Sequence, residues 1–159
     1  MPERTAPDIT GLLDRRAIRL DARAGDRDDA VRQTGQALLD TGAVTADYLV
    51  TMFERERSVS TYLGEGFAIP HGTLDGKRAV RRDALAFLRF PEGVEWPDGE
   101  RVRVCIGIAA RDDGHLAILA QLAEILLDPD RARALREVAD ADEVLRLLSP
   151  DSDEGDAGS

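Results

Sequence analysis

The sequence contains very little cysteine, few aromatic residues and no long apolar run. Its 159 residues include one cysteine, Cys105, and only 4% aromatic residues. A single cysteine excludes an internal disulfide and is typical of a reducing compartment. No apolar stretch is long enough to cross a bilayer, and no basic segment followed by an apolar one opens the chain. These absences predict a cytoplasmic domain that does not insert into the membrane.

Basic residues are also fewer than acidic ones. The chain has 21 lysine and arginine residues against 31 aspartate and glutamate residues, a formal net charge of −10. Such an acidic chain repels a phosphate backbone, so we expect no nucleic acid partner. A partner protein with a basic surface is the more compatible choice.

Several common site motifs are missing as well. There is no G-x-x-x-x-G-K-[ST] phosphate loop, and the "GEG" at 64–66 is not a full dinucleotide fingerprint. One cysteine and two separated histidines do not make a zinc ligand set, and the G-x-S-x-G of serine hydrolases is absent. The sequence therefore predicts neither a cofactor nor a metal site.

What is present is the pattern of a single α/β domain. We expect a flexible leader at 1–8, one domain at 9–148 and an acidic, disordered tail at 149–159. Short helices are expected at about 130–138 and 141–148. Earlier in the chain we expect a strand near 17–20 and a helix capped by Asp26. A second helix, capped by Thr45, should carry an apolar stripe of Leu49, Met52 and Phe53. Strands are expected at 83–90 and 102–110, followed by a helix from His115. Strands alternating with helices indicate a mixed sheet flanked by helices.

The two histidines are the candidates for chemistry. His71 lies in "AIPHG" (68–72), where a short apolar stretch ends and proline and glycine place it at a bend. His115 follows the strand at 102–110 and falls in the first turn of a helix, whose free N–H groups favour a phosphate. Both positions are at the carboxyl ends of predicted strands, where open α/β sheets place their ligand crevices. An imidazole nitrogen is a competent nucleophile towards phosphorus, although position alone also fits a turn residue or a helix-start residue.

Other charged and polar residues have plainer interpretations. Arg55, in "ERER" (54–57), is on pattern alone a solvated charge. Cys105 lies in an apolar strand and is interpreted as an inert buried thiol. The basic run "KRAVRR" (77–82) fits either a solvated face or a docking patch.

Longer motifs carry a specific resemblance. The stretch "MFERERSVSTYLGEGFAIPHGTLDGKRAV" (52–80) closely resembles the active-site region of the enzyme IIA component of the bacterial sugar phosphotransferase system. The resemblance is to the mannitol/fructose type and is nearest to mannitol-specific proteins. It continues in "PEGVEW" (91–96), "VCIGIAARDDGHLAILAQLAEIL" (104–126) and "DEVLRLL" (142–148), and so covers the domain apart from its termini.

The resemblance implies a phosphoryl carrier. The phosphocarrier HPr would phosphorylate His71 on Nε2, and the phosphoryl group would then pass to a cysteine of an enzyme IIB domain during uptake of a sugar alcohol, with mannitol the expected one. By alignment, His115 is the second active-site histidine that supports the phosphoryl group, and Arg55 is an arginine near it. The family fold is a single α/β domain with a mixed, mostly parallel sheet and helices on both sides. Such an exchange demands no metal or cofactor.

Alternatives to a transport role stay open. The sequence contains no cysteine-bearing IIB segment and no membrane segment, so we expect a free-standing subunit. A regulatory protein of the nitrogen-related branch, whose phosphorylation state controls partner binding, is the main rival. A non-catalytic binding module with the same fold is a third interpretation, disfavoured by the two retained histidines. "ARDDGH" (110–115) is acidic where some mannitol proteins carry amides.

Overall fold

The computed structural model describes residues 9–111 and 114–149, without the side chains of residues 74, 114 and 115. The predicted leader at 1–8 lies outside these residues, as does the predicted tail apart from Ser149. In chain order the elements are β1 (Leu13–Arg19), α1 (Arg27–Asp40), α2 (Asp47–Ser58), β2 (Tyr62–Gly64), β3 (Phe67–Ala68), β4 (Ala84–Glu95), β5 (Arg101–Ala109), α3 (Gly114–Leu126), α4 (Pro129–Arg136) and α5 (Ala141–Leu148), with short 3₁₀ helices at Ile9–Leu12 and Leu74–Ala79.

The starts of α1, α4 and α5 follow ordinary capping chemistry, whereas the start of α2 does not. Asp26 caps α1 as predicted, since its carboxylate accepts a hydrogen bond of 2.9 Å from the Asp29 amide. Asp140 caps α5 in the same way. The prediction that Thr45 caps α2 is wrong: the N-cap is Ala46, with no side-chain capping hydrogen bond. Thr45 instead donates its amide to the Ala79 carbonyl at 2.8 Å, which ties the start of α2 to the 3₁₀ helix after His71.

Five strands form one sheet in the described part of the chain. Their order is β1-β4-β5-β3-β2, so the sheet is mixed, as predicted. β1 pairs with β4 and β3 pairs with β5 in parallel, whereas β4–β5 and β2–β3 are antiparallel. The parallel β3–β5 pair matters most for the site. It brings the carboxyl end of the strand before His71 to the same edge as the carboxyl end of the strand before α3.

The core lies on both faces of the central strand β5. Gly107 faces α1, because a Cβ added to it would meet the Thr34 and Leu38 side chains. The residues that alternate with it on β5, Ile106 and Ile108, are equally buried, so the opposite face is covered too. Buried residues of α3, α4 and α5 belong to the same core, among them Leu122, Leu135 and Leu148. This confirms the predicted single α/β domain with a sheet between helices.

Cys105 occupies the middle of this core. It is fully buried in β5, and burial is the main cause that raises the pKa of its thiol well above the ordinary value. A thiol held in its neutral form is a poor nucleophile. The interpretation of Cys105 as a buried core residue is confirmed. Among the described helices, none is long and apolar enough to cross a bilayer.

Candidate active site

His71 lies at the carboxyl edge of the sheet, as its position in the sequence predicts. β3 ends at Ala68, and the chain continues alongside β5 until His71 forms a parallel bridge with Ile108. The Ile108 amide donates to the Pro70 carbonyl at 3.0 Å, which holds the segment before His71 against the end of β5. The His71 side chain is half-buried there. The chain thus presents the imidazole at the sheet edge on a backbone held by a central strand.

The His71 ring is oriented by a carbonyl two residues earlier. Its Nδ1 lies 2.8 Å from the Ile69 carbonyl oxygen. A carbonyl oxygen only accepts hydrogen bonds, so Nδ1 carries the proton and donates it. In a neutral imidazole with its proton on Nδ1, the basic lone pair is on Nε2. The local geometry therefore selects Nε2 as the nucleophilic nitrogen.

Tyr48 of α2 holds the backbone that follows His71. Its hydroxyl accepts a hydrogen bond of 2.9 Å from the Gly72 amide and donates one of 2.7 Å to the Ile108 carbonyl. Burial raises the pKa of Tyr48 to about 12, against a smaller opposing effect of the Gly72 hydrogen bond. The hydroxyl is therefore protonated at neutral pH and can both donate and accept. It connects α2, the end of β5 and the backbone directly after His71.

Gly72 is required by this close approach. A Cβ added at residue 72 would lie 2.6 Å from Tyr48 Cε1 and would also clash with the Thr51 hydroxyl. Its φ is not in the left-handed region, so freedom of backbone angle is not what the position needs. In "PHG" the glycine lets α2 pack directly on the active-site backbone.

His115 takes its predicted place along the backbone. It is the second residue of α3, and α3 begins five residues after β5 ends. At Arg111, between β5 and α3, the backbone amide donates a hydrogen bond of 2.8 Å to Asp83 Oδ1. The His115 side chain lies outside what the structure describes. Because β3 and β5 are parallel neighbours, the backbones of His71 and His115 both follow strands that end at the same edge.

Arg55 is placed on α2, in the last turn of the helix. Its Nη1 donates to the Val59 carbonyl at 2.6 Å, so the guanidinium satisfies a backbone acceptor at the carboxyl end of α2. Arg55 and Tyr48 are seven residues apart, which puts them on the same side of the helix and separates them by roughly 10 Å along its axis. The expected role of Arg55 near a phosphoryl group stays a prediction.

Glu56 is the residue that sequence reasoning missed most clearly. It lies in the same "ERER" run but is only 2% exposed. Its carboxylate accepts hydrogen bonds from the Thr61 amide (2.9 Å), the Thr61 hydroxyl (2.6 Å) and Trp96 Nε1 (3.1 Å). The fully buried side of α2 is therefore Tyr48, Met52 and Glu56, with the predicted Leu49 and Phe53 partly buried beside it. The four-residue spacing of the three was a usable signal, but a glutamate is ordinarily assigned to the surface.

The described residues show no metal centre. No group of three or more His, Cys, Asp or Glu side chains within 9–111 and 114–149 is arranged to hold a metal ion. The chemistry available at this edge is that of a half-buried imidazole, backbone amides and a helix start.

Comparison with known proteins agrees with this geometry. Residues 11–150 match the family described as the phosphoenolpyruvate-dependent sugar phosphotransferase system, EIIA 2. The chain belongs to this family. The resemblance found in the sequence is confirmed, and the chain is a phosphotransferase component of the EIIA 2 type.

Two relatives show how the family domain occurs. The chain is 36% identical over 138 residues to the mannitol-specific phosphotransferase enzyme IIA component of Geobacillus stearothermophilus, covering 87% of this chain and 95% of that protein. It is 44% identical over 126 residues to the multiphosphoryl transfer protein of Escherichia coli O157:H7, covering 79% of this chain. The chain spans only 34% of the length of that longer protein.

Solved structures of IIA proteins share the fold. The complex of enzyme IIAMTL and phosphorylated enzyme IIBMTL from Escherichia coli contains a chain with a TM-score of 0.79 and 35% identity, covering 86% of this chain and 98% of that one. The nitrogen regulatory protein IIA-Ntr from Neisseria meningitidis has a TM-score of 0.77 and 31% identity, and the match covers 89% of this chain and 99% of that one. Mannitol and nitrogen-regulatory proteins thus share one architecture, and fold alone does not separate them.

Proposed function

We propose that this chain carries a phosphoryl group on Nε2 of His71, accepting it from the phosphocarrier HPr and passing it to a cysteine of an enzyme IIB domain. The observation that carries the proposal is the 2.8 Å contact between His71 Nδ1 and the Ile69 carbonyl, which leaves the basic lone pair on Nε2. The half-buried position at the sheet edge gives that nitrogen a fixed approach direction.

The first transfer needs no proton movement at His71. The Nε2 lone pair attacks the phosphorus of phosphohistidine on HPr, and the P–N bond to the donor histidine breaks as the new P–Nε2 bond forms. The phosphorylated ring keeps its proton on Nδ1 and becomes cationic. The Ile69 carbonyl accepts the hydrogen bond throughout and stabilises the positive charge that develops on the ring.

The second transfer reverses these changes. The IIB thiolate attacks the phosphorus, a P–S bond forms, and the P–Nε2 bond returns its electron pair to the imidazole. A bond to nitrogen is exchanged for a bond to sulfur without an added cofactor. Catalysis then depends on alignment and on donors around the equatorial phosphoryl oxygens.

We infer that His115 supplies one of those donors. It is the second residue of α3, a helix of 13 residues whose first amides have no partner within the helix and whose dipole attracts an anion. An imidazole at that point can hydrogen-bond a phosphoryl oxygen while the amides contact another. Arg55, near the end of α2, is the cationic group that we expect next to the phosphoryl site.

The physiological acceptor is proposed to belong to a mannitol-type permease. This assignment is supported by the relative named as a mannitol-specific IIA component and by the IIA–IIB complex from Escherichia coli. The nitrogen-regulatory alternative is supported by the nearly equal structural match to IIA-Ntr. The cytoplasmic location expected from the sequence remains a prediction.

A phosphoryl-transfer assay tests the function. Incubation with phosphoenolpyruvate, enzyme I and HPr should add one acid-labile phosphoryl group to the wild type and none to the His71→Ala variant. The labelled protein should then discharge to a mannitol-type IIB domain faster than to a fructose-type one. A labelled chain that discharges to neither domain would favour the regulatory alternative. An unlabelled wild type, or a fully labelled His71→Ala variant, would overturn the carrier proposal.

A further inference from the structure

Glu56 is a charged side chain buried inside the fold. No lysine or arginine in the described residues forms an ion pair with it; the neighbouring Arg55 binds the Val59 carbonyl, and Arg57 contacts Asp28. Burying a carboxylate is unfavourable unless several hydrogen bonds compensate for its lost hydration. Glu56 receives three of them, two from Thr61 and one from Trp96.

A continuous series of hydrogen bonds leads from Glu56 to His71. Glu56 accepts from the amide and the hydroxyl of Thr61. The Thr61 carbonyl accepts from the Ile69 amide at 3.1 Å, and the Ile69 carbonyl accepts from His71 Nδ1 at 2.8 Å. Thr61 and Ile69 are only 5% and 6% exposed, so water does not readily substitute for any link.

This series fixes the group on which the His71 tautomer depends. If Thr61 moves, the Ile69 amide loses its acceptor, and the Ile69 carbonyl is free to turn away from the ring. The N–H at Nδ1 then no longer has a defined acceptor, and a ring with its proton on Nε2 has no lone pair on that nitrogen to attack phosphorus. A small displacement of a reacting atom also costs rate steeply.

We propose that Glu56 is a positioning residue for phosphoryl transfer, acting through Thr61 and the Ile69 carbonyl to hold His71 with its proton on Nδ1. The inference rests on the proposed carrier function. Glu56 and Tyr48 lie at opposite ends of the same buried side of α2. The Tyr48 hydroxyl binds the Gly72 amide after His71, and Glu56 acts through Thr61 on Ile69 before it, so one helix fixes the active-site backbone on both sides.

Glu56→Ala and Glu56→Gln test the proposal together. Single-turnover transfer from phosphorylated HPr should slow about tenfold or more in Glu56→Ala, an estimate taken from the usual effect of a misplaced reacting group. The HPr concentration that gives half the maximal rate should stay within about twofold, because the residue is buried and cannot touch the donor. Glu56→Gln keeps an oxygen that accepts from the Thr61 amide and should restore most of the rate.

Trp96→Phe is the matched control. It removes a hydrogen bond from the same carboxylate and lowers thermal stability, but it leaves both Thr61 contacts in place. Its transfer rate at a temperature where it is folded should equal that of the wild type. An equal loss of rate in Trp96→Phe would show that Glu56 acts only through stability and would overturn the proposal.

The tautomer of His71 gives a second readout, and its measurement on the wild type needs no variant to fold. Nitrogen-15 NMR of the unphosphorylated wild type should show a protonated Nδ1 and an unprotonated Nε2, and Glu56→Gln should retain that pattern. In Glu56→Ala the pattern should shift towards a mixture of tautomers. A wild type with its proton on Nε2, or a Glu56→Ala variant with wild-type rate and tautomer, would overturn the inference. Failure of the wild type to accept any phosphoryl group would instead refute the carrier function.

Discussion

A histidine acts as a dependable phosphoryl acceptor when its two ring nitrogens differ in protonation. In this chain the difference comes from one carbonyl, that of Ile69, which accepts the Nδ1 proton of His71. The backbone after the ring is held separately, by the Tyr48 hydroxyl at the Gly72 amide. Single-residue changes at these contacts should therefore affect chemistry and stability to different degrees.

Tyr48→Phe should lower both stability and transfer rate. The change leaves the Gly72 amide and the Ile108 carbonyl without their partner, and one buried group left unsatisfied typically costs about 1–3 kcal/mol of unfolding free energy. Urea denaturation and single-turnover kinetics measure the two effects. Tyr62→Phe is the control, since its hydroxyl accepts from the Gly66 amide in the β2–β3 turn and not from the backbone next to His71. Equal transfer rates in Tyr48→Phe and Tyr62→Phe would contradict the account.

His115→Ala should separate the supporting histidine from the nucleophile. Loss of a hydrogen-bond donor should weaken transfer without abolishing it, because in the proposed mechanism the backbone amides at the start of α3 would still bind the phosphoryl oxygens. One such donor is typically worth roughly 3 kcal/mol of transition-state stabilisation. The variant should accept the phosphoryl group from HPr slowly and discharge to the IIB cysteine even more slowly. Wild-type rates in both directions would reject this role.

The proposed nucleophile could be identified from the sequence, whereas the residues that hold it in place could not. "AIPHG" and the motif around it single out His71 through residues that are adjacent in the chain. Tyr48 and Glu56 escaped attention because their importance depends on hydrogen bonds to residues far along the chain, such as Ile108 and Trp96. Local patterns assign a glutamate beside two arginines to the surface. Only the folded arrangement shows that this one points inward.

At the scale of elements, the β2–β3 turn contains a conformational mismatch. Glu65 and Gly66 form the two-residue connection, with φ of 55° and 85°. Positive φ at both positions is the type I′ pattern, which favours Asn-Gly. Glutamate has no local means of relieving the strain of a left-handed conformation.

Glu65→Asn should therefore stabilise the protein, by about 0.5–1 kcal/mol of unfolding free energy. The variant keeps the hydrogen bond of 2.7 Å from Arg136 Nη1 to the backbone carbonyl of residue 65. It loses the ion pair between the Glu65 carboxylate and Arg136, which is exposed and weak. Denaturant unfolding measures the gain. Glu65→Ala removes the same ion pair but retains the left-handed strain, so it should give no gain. Stabilisation by both variants alike would argue against a turn effect.

Most elements were predictable in place and type, and the departures have physical causes. α1 begins where Asp26 caps it, because a cap is a local signal. The start of α2 differs from the predicted one at Thr45, because the Thr45 amide makes a tertiary hydrogen bond to the Ala79 carbonyl that fixes the chain just before the helix. β4 runs on to Glu95, past the predicted end at 90, because antiparallel pairing with β5 resumes after an irregularity between Arg89 and Val94.

For the whole molecule, the parallel pairing of β3 and β5 is what assembles the site. It places the segment before His71 and the connection to α3 at one edge, and α2 packs across that edge. The α/β class and the carboxyl-edge location follow from alternating patterns in the sequence. Strand order does not, because it is set by packing of distant segments rather than by local propensity.

The net charge of −10 should influence encounter with the donor. If HPr presents a basic surface, long-range attraction speeds association at low salt and is screened as ionic strength rises. The HPr concentration at half-maximal transfer rate should therefore increase with added NaCl. The maximal rate should change little, because His71 is half-buried and its contacts are short. A half-maximal concentration that does not depend on salt would contradict electrostatic steering.

The central claim concerns one atom, Nε2 of His71. Its most direct test is to phosphorylate uniformly nitrogen-15-labelled wild-type protein through HPr, map the modified peptide and identify the phosphorylated ring nitrogen by its coupling to phosphorus-31. We predict a single phosphoryl group on the peptide containing His71, bonded to Nε2, with the proton retained on Nδ1. A phosphoryl group on His115, or on Nδ1 of His71, would contradict the account.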